Sequence, residues 1–157
     1  MDKPESGIEK KDGGAMPIFK TGSLLSAPGI KIVTASSFLT SERKLFMGKG
    51  LARDLKIKVP GIDEIFGSMI LGYCGHPGKY GLLTYEKWGV FQVRYRFNNK
   101  ADLELIAFGI ENVREFAQEP NYIIHLEYPG INDGDLTKEE IGPMVNTLPG
   151  NVYVWEK

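Results

Sequence analysis

The sequence predicts a layered α/β domain with a mixed, mostly parallel central sheet of about six strands, and three observations carry that expectation. Short β-branched segments alternate along the chain with longer segments of helical period. The stretch Tyr122–Leu126 (YIIHL) is apolar on both faces of a strand, which suits a sheet covered by helices on both sides. Two glycine turns each follow a candidate central strand and lead straight into a helix.

Taken in order, Ile18–Lys20 is a brief apolar strand candidate and Ile30–Ala35 (IKIVTA) a stronger one, rich in β-branched residues. Gly50–Val59 reads as a helix that Pro60 ends, and Ile62–Ile70 as a second short helix. Gly72–Gly81, with four glycines and a proline, is a turn region. Leu82–Tyr85 and Gly89–Phe97 form a hairpin-like pair. In the second of these, Val90, Gln92, Arg94 and Arg96 alternate with Phe91, Val93, Tyr95 and Phe97. Ala101–Glu119 is the clearest helix: Leu103, Ile106, Ile110, Val113 and Ala117 recur at helical spacing, and Pro120 closes it. Thr137 followed by Glu140 is a capping-box signature that starts a helix running to about Thr147. Asn151–Trp155 (NVYVW) is a terminal strand.

Length and composition set the outer limits. A chain of 157 residues is one domain's worth, and residues 1–15, polar and rich in Gly and Lys, read as a flexible extension or tag ahead of a domain over 16–157. The net charge of −1 supplies no field to draw the chain to nucleic acid or an anionic membrane, so an anionic ligand must be held locally. A single cysteine, Cys74, excludes an intramolecular disulfide, and with only His76 and His125 beside it a Cys/His zinc site is excluded too. No metal or cofactor is called for. No apolar run reaches the roughly 20 residues that span a bilayer, and no signal-peptide layout opens the chain, so a cytoplasmic location is expected.

In α/β sheets ligands sit outside the carboxyl ends of the strands, which directs attention to the loops leaving 30–35 and 122–126. The first runs Phe46-Met47-Gly48-Lys49-Gly50-Leu51-Ala52 into a helix, whose unpaired amides and positive dipole end suit an anion. The second, Pro129-Gly130-Ile131-Asn132-Asp133-Gly134-Asp135-Leu136, repeats that plan ahead of Thr137. One such turn reads more readily as a tight connection; two after central strands weigh considerably more for a site.

These stretches resemble the macrodomain family, in particular its ADP-ribosyl hydrolase and ADP-ribose-1''-phosphate phosphatase branch. Met47-Gly48-Lys49-Gly50-Leu51-Ala52 is similar to that family's Met-Gly-Lys-Gly-Ile-Ala loop, and Gly22-Ser23-Leu24-Leu25 to its Gly-Asp-Leu-Leu turn. Pro129–Leu136 stands for its second glycine loop, and Asn151–Trp155 for its closing strand. The resemblance covers residues 17–157 and implies a three-layer α/β/α fold. It also implies a ligand pose, with adenine near Gly22, Ser23 and Leu24 and the diphosphate between the loops at Met47, Gly48, Gly50, Leu51 and Pro129, Gly130, Ile131, Asn132, Gly134. The distal ribose then lies at Ser36 and Ser37. The implied partner is ADP-ribose itself or an ADP-ribosylated small molecule, protein or nucleic acid.

The chain departs from the family in three places. Ser23 replaces the acid that binds the adenine amine, and a serine (Ser36 or Ser37) replaces the ribose-site asparagine. The segment Ser37–Leu45 is longer than usual and carries Glu42, Arg43 and Lys44. Asn132-Asp133-Gly134-Asp135 replaces Gly-Asn-Gly-Gly, putting two carboxylates beside a diphosphate.

Individual residues keep two readings. Asp133 and Asp135 are candidate general bases, or a turn residue and a helix-capping aid. Lys49 either contacts phosphate and acts in catalysis, or is solvated between two glycines. Arg96 either faces the distal site or follows edge-strand alternation. Ser37 has no visible His–Asp partner, and His125 and Cys74 read as interior residues. Trp88 and Trp155 are packing residues or stacking platforms. Three functions remain in play: hydrolysis of an ADP-ribosyl bond or of ADP-ribose-1''-phosphate, binding without turnover, and a protein-interaction scaffold.

Overall fold

A computed structural model describes residues 16–75, 78–131 and 135–156. Its strands are β1 (Ile18–Thr21), β2 (Ile30–Ala35), β3 (Leu82–Tyr85), β4 (Trp88–Gln92), β5 (Ile124–Glu127) and β6 (Val152–Glu156). Its α-helices are α1 (Gly50–Lys58), α2 (Ile62–Tyr73), α3 (Leu103–Phe116) and α4 (Lys138–Val145). The strands form one sheet in the order β1-β6-β5-β2-β4-β3. Every pairing is parallel except the β3–β4 hairpin, where Tyr85 faces Trp88 across the turn at Glu86 and Lys87. Among the described residues no helix is long and apolar enough to cross a membrane.

The sheet separates two cores. Ile32, Phe91, Ile124, Leu126, Val152 and Val154 face α3 and α4, burying Ile106, Ile110, Val113, Ile141 and Val145. Val33, Ala35 and Val90 face α1 and α2, burying Leu55, Ile62, Phe66 and Ile70. This gives the three layers that the alternation of segments predicts. The helix starts follow from capping. Asp102 accepts from the amides of Glu104 and Leu105 at 2.8 and 3.2 Å, so α3 begins at Leu103, two residues after the start foreseen at Ala101. Thr137 and Glu140 form the expected capping box on α4.

The strand foreseen over 89–97 stops at Gln92. Its alternation of polar and apolar residues does not become one wet and one dry face, because β4 lies between β2 and β3 and Trp88–Gln92 are all buried. Arg96 therefore lies beyond β4, exposed in the following turn, and not on an edge strand. Gln92 is tolerated inside because its amide is fully used: Oε1 accepts from the Tyr80 amide at 2.8 Å and Nε2 donates to the Gly78 carbonyl at 2.8 Å.

Two further polar residues are buried on the α1/α2 face. Lys31, 3% exposed, donates to the Ala27 and Gly29 carbonyls at 2.9 and 2.7 Å and lies 4.8 Å from the Trp88 ring centroid. His125 accepts the Trp155 indole N–H on Nδ1 at 2.9 Å, which fixes it as the neutral Nε2–H tautomer. It is thus the interior residue the sequence suggests. Burial holds its pKa below the ordinary value, against a backbone contact with Pro28, and the Lys31 and Lys20 cations push the same way as burial. The unfolded chain takes up a proton near pH 6.5, the usual histidine value, while the folded chain resists it to lower pH. Stability is therefore expected to be flat above about pH 7 and to fall as pH drops below about 6.5, in urea midpoints followed by tryptophan fluorescence. His125→Asn should reduce that slope; an unchanged slope would assign it to another group.

Candidate functional site

The carboxyl ends of β2, β4 and β5 open into one cleft. Thr34, Ala35 and Ser36 form its floor at the end of β2. Gly48 to Ala52, at the start of α1, form one wall, and Glu127, Tyr128 and Gly130, leaving β5, form the facing wall. Val93 and Arg94, just past β4, close the far end together with Phe46 and Phe97.

The α1 wall is built to leave amides open. Lys49 is the N-cap residue, in extended conformation, and its side chain makes no capping hydrogen bond. The amides of the first turn thus lie at the cleft without a capping side chain from Lys49, an arrangement that favours an anion. Gly50 has φ +57, in the left-handed region where a side chain is strained. A Cβ on Gly48 would lie 2.5 Å from the Phe46 ring, so that aromatic packs directly against the loop. On the facing wall Gly130 has φ +84, and a Cβ there would meet Ile106 and Ile141 at 2.8 and 3.0 Å. Its carbonyl accepts from the Leu136 amide at 3.2 Å, which closes the loop back on itself.

Glu127 crosses between the walls. It is 6% exposed, and its Oε1 accepts from both the Thr34 amide at 2.8 Å and the Thr34 hydroxyl at 3.1 Å. A carboxylate from β5 thereby fixes the end of β2 just below the cleft. Tyr128 also lines the cleft, and desolvation raises its pKa, so the phenol stays a hydrogen-bond donor.

The residues singled out in the sequence divide accordingly. Ser36, Gly48, Lys49, Gly50, Leu51 and Gly130 come together in the cleft. Met47 and Leu24 are core residues, 1% and 0% exposed, so only Gly22 and Ser23 of the first turn are presented to solvent. Ser37 is fully buried and donates to the Tyr95 carbonyl at 3.2 Å. Pro129 is buried beside Gly130, and Ile131 packs against the α3/α4 core. Asp135 is exposed with φ +63, a left-handed turn position, and the cap of α4 is Thr137 instead. Asn132, Asp133 and Gly134 lie outside the described residues, as does His76. Cys74 is half-buried, and burial raises its thiol pKa.

The long segment before Met47 folds as a small hairpin. Leu39 bridges Leu45, the Thr40 amide donates to the Lys44 carbonyl at 2.8 Å, and the Phe46 amide donates to the Phe38 carbonyl at 2.9 Å. Leu39 and Leu45 enter the α1/α2 core, so Glu42 and Arg43 are carried outward at its tip. Phe38, Phe46 and Phe97 cluster, with Phe46 and Phe97 centroids 4.5 Å apart.

Sequence reasoning missed Thr34, Glu127, Tyr128, Arg94, Phe46 and Phe97 as cleft residues. The strand-end rule reaches the first three when applied residue by residue. Arg94 was hidden by the strand foreseen through Phe97; with the strand ending at Gln92, the same rule finds it.

No family model matches the chain, and no curated protein matches it by sequence. Solved structures do. The macrodomain of Mycobacterium tuberculosis DarG aligns with a TM-score of 0.72 at 16% identity, over 91% of this chain and 99% of that one. The macrodomain of Thermus aquaticus DarG gives 0.68 at 22% identity, with the same shares. Thermosipho africanus DarTG, solved in complex with ADP-ribose, gives 0.69 at 16% identity over 88% of this chain and 41% of that longer one. The chain has the macrodomain fold.

Removing the Glu127 acceptor strands two donors of Thr34. Glu127→Ala is expected to lower unfolding free energy by about 1–3 kcal/mol in a denaturant titration, and Glu127→Gln, which keeps an oxygen acceptor, by clearly less. Equal losses would show that charge, not the acceptor, secures the end of β2.

Proposed function

We propose that this chain binds ADP-ribose, or a molecule carrying an ADP-ribosyl group, in the cleft at the carboxyl ends of β2, β4 and β5. The observation that carries this reading is the uncapped start of α1, which opens into the cleft opposite the glycine turn at Gly130. Such a start offers several amides and a positive dipole end to a diphosphate, with no need for a basic surface. A chain of net charge −1 has no general positive field, so an anion must be held by local groups such as these. The reading also draws on the shared fold, one example of which was solved with ADP-ribose.

In this pose the diphosphate lies between the amides of Gly50 and Leu51 and the Gly130 turn. Lys49, exposed at the rim, adds a cation. The base lies toward Gly22 and Ser23, beside Trp155, whose ring stands 3.9 Å from where a Gly22 Cβ would be. Ser23 presents a hydroxyl in place of an acid, so the base is held by stacking more than by selective hydrogen bonding.

Turnover is a second reading, and the buried Glu127 carboxylate in the cleft favours it. An ADP-ribosyl hydrolase, or an ADP-ribose-1''-phosphate phosphatase, needs a carboxylate to orient water and accept its proton, with developing charge met by the loop amides. Asp133, Asp135 and Lys49 remain candidates for the same chemistry. Under this reading Asp133→Ala or Asp135→Ala abolishes turnover and keeps binding.

Calorimetric titration with ADP-ribose, with AMP and ribose 5-phosphate as controls, tests the proposal. Saturable binding by ADP-ribose and little by either fragment is expected. Gly48→Val, which drives the Phe46 ring into the loop, should weaken ADP-ribose at least about tenfold while far-UV circular dichroism stays native. Absence of ADP-ribose binding by the unaltered protein would overturn the proposal.

A further inference from the structure

We infer that His125 is a positioning residue that holds Trp155 in place for the ligand's base, and that nucleotide binding weakens in acid because this hold is lost. This rests on the nucleotide reading of the cleft.

Trp155 stands at the border of the cleft. In the parallel β5–β6 pair it lies opposite Glu127, so the two side chains leave the same face of the sheet, and Glu127 lines the cleft. The two edges of its indole are engaged differently. The N–H edge leans back along the sheet to His125, the register partner of Tyr153, and donates to Nδ1 at 2.9 Å. The opposite edge carries Cζ3, which stands 3.9 Å from where a Gly22 Cβ would be, on the side assigned to the base. An indole N–H only donates, so the setting of the ring depends on what accepts from it. Here the acceptor is one nitrogen of a buried imidazole, and what it holds at one edge fixes what the other edge presents.

That acceptor is lost on protonation. Both nitrogens of an imidazolium donate, so proton uptake sets N–H against N–H and turns the indole out of its place. The surroundings of His125 oppose the charge. Burial disfavours it most, and the cations of Lys31, its register partner on β2, and Lys20 on β1 add to that, while the backbone of Pro28 favours the proton. Tyr153 packs its ring 5.0 Å away, and Glu127, next on the same face of β5, is turned to Thr34. The ligand needs the indole held and the proton releases it, so each binds more weakly in the presence of the other. Affinity is therefore full above the ordinary histidine range and falls as pH drops below it.

Calorimetry with ADP-ribose at about pH 7.5 and about pH 5.5 tests this, at a temperature where far-UV circular dichroism is native at both. The unaltered full chain is compared with His125→Asn, which offers an oxygen near the place of Nδ1 and does not titrate, and with His125→Leu, which offers no acceptor. The unaltered protein is expected to bind about three- to tenfold more weakly at the lower pH. His125→Asn should stay within about twofold of the unaltered affinity at the higher pH and keep it at the lower one, whereas His125→Leu should be about fivefold or more weaker at both. A residue that served folding alone would shift the melting temperature of its variants and leave the pH profile of affinity unmoved. Without ligand, acidification should lower the indole emission of the unaltered protein, and do so less in His125→Asn and in Trp155→Phe. An affinity independent of pH in the unaltered protein, a pH dependence that persists in both His125 variants, or unaltered affinity in His125→Leu overturns the inference and leaves the binding proposal intact. If the unaltered protein binds no ADP-ribose at either pH, the nucleotide reading fails first and takes the inference with it.

Discussion

Burying the central strands on both faces is the constraint from which the rest of the molecule follows. Strands β2, β4 and β5 are covered by α1 and α2 on one side and α3 and α4 on the other, so every polar side chain they carry must find its partner inside. Lys31 is spent on two carbonyls of the turn before β2, Gln92 on the segment entering β3, His125 on the indole of Trp155, and Glu127 on Thr34. Each holds a connection in place, and two of them, Gln92 and Glu127, sit at strand ends that border the cleft. The polar residues of the interior are the means by which the fold sets the shape of its own site.

The frame of the fold was legible because it rests on local physics. The period of α3 and the capping box at Thr137 and Glu140 each have one structural outcome, and the structure shows it; the strand foreseen over Tyr122–Leu126 begins instead at Ile124, with Tyr122 and Ile123 exposed and only Ile124 and Leu126 in the α3/α4 core. The glycine turns at Gly48–Gly50 and Gly130 were legible for the same reason: Gly50 and Gly130 take positive φ, which little but glycine adopts without strain. What failed to read through was burial. Residues 90–97 alternate as a half-wet strand does, but the strand ends at Gln92 and the order of the sheet puts 88–92 at its interior, and sheet order is a long-range property that period alone does not encode. The places of Thr34 and Glu127 beside the cleft follow from the ends of their own strands, whereas that of Arg94 emerges only with the end of β4 at Gln92.

The segment before Met47 shows how the fold accommodates a long connection beside the cleft. As a hairpin it buries Leu39 and Leu45 beneath, sends its charged tip outward, and contributes Phe38 to an aromatic group with Phe46 and Phe97. The α1 turn at Gly48 stays open, and the alteration falls on the far wall of the cleft instead.

The pairing of β1 with β6 bears on how the molecule comes into being. All four residues of β1 are exposed, and among the described residues its one neighbour in the sheet is a strand that lies almost a whole described chain away. A segment with so little to bury gains order only when that partner is in place, and contacts that span so much chain form late. During synthesis β1 must wait, unpaired, until β6 has left the ribosome, while the edge of β6 stays uncovered until β1 arrives. The protein is therefore most exposed to edge-to-edge association with its own copies in the final moments of folding.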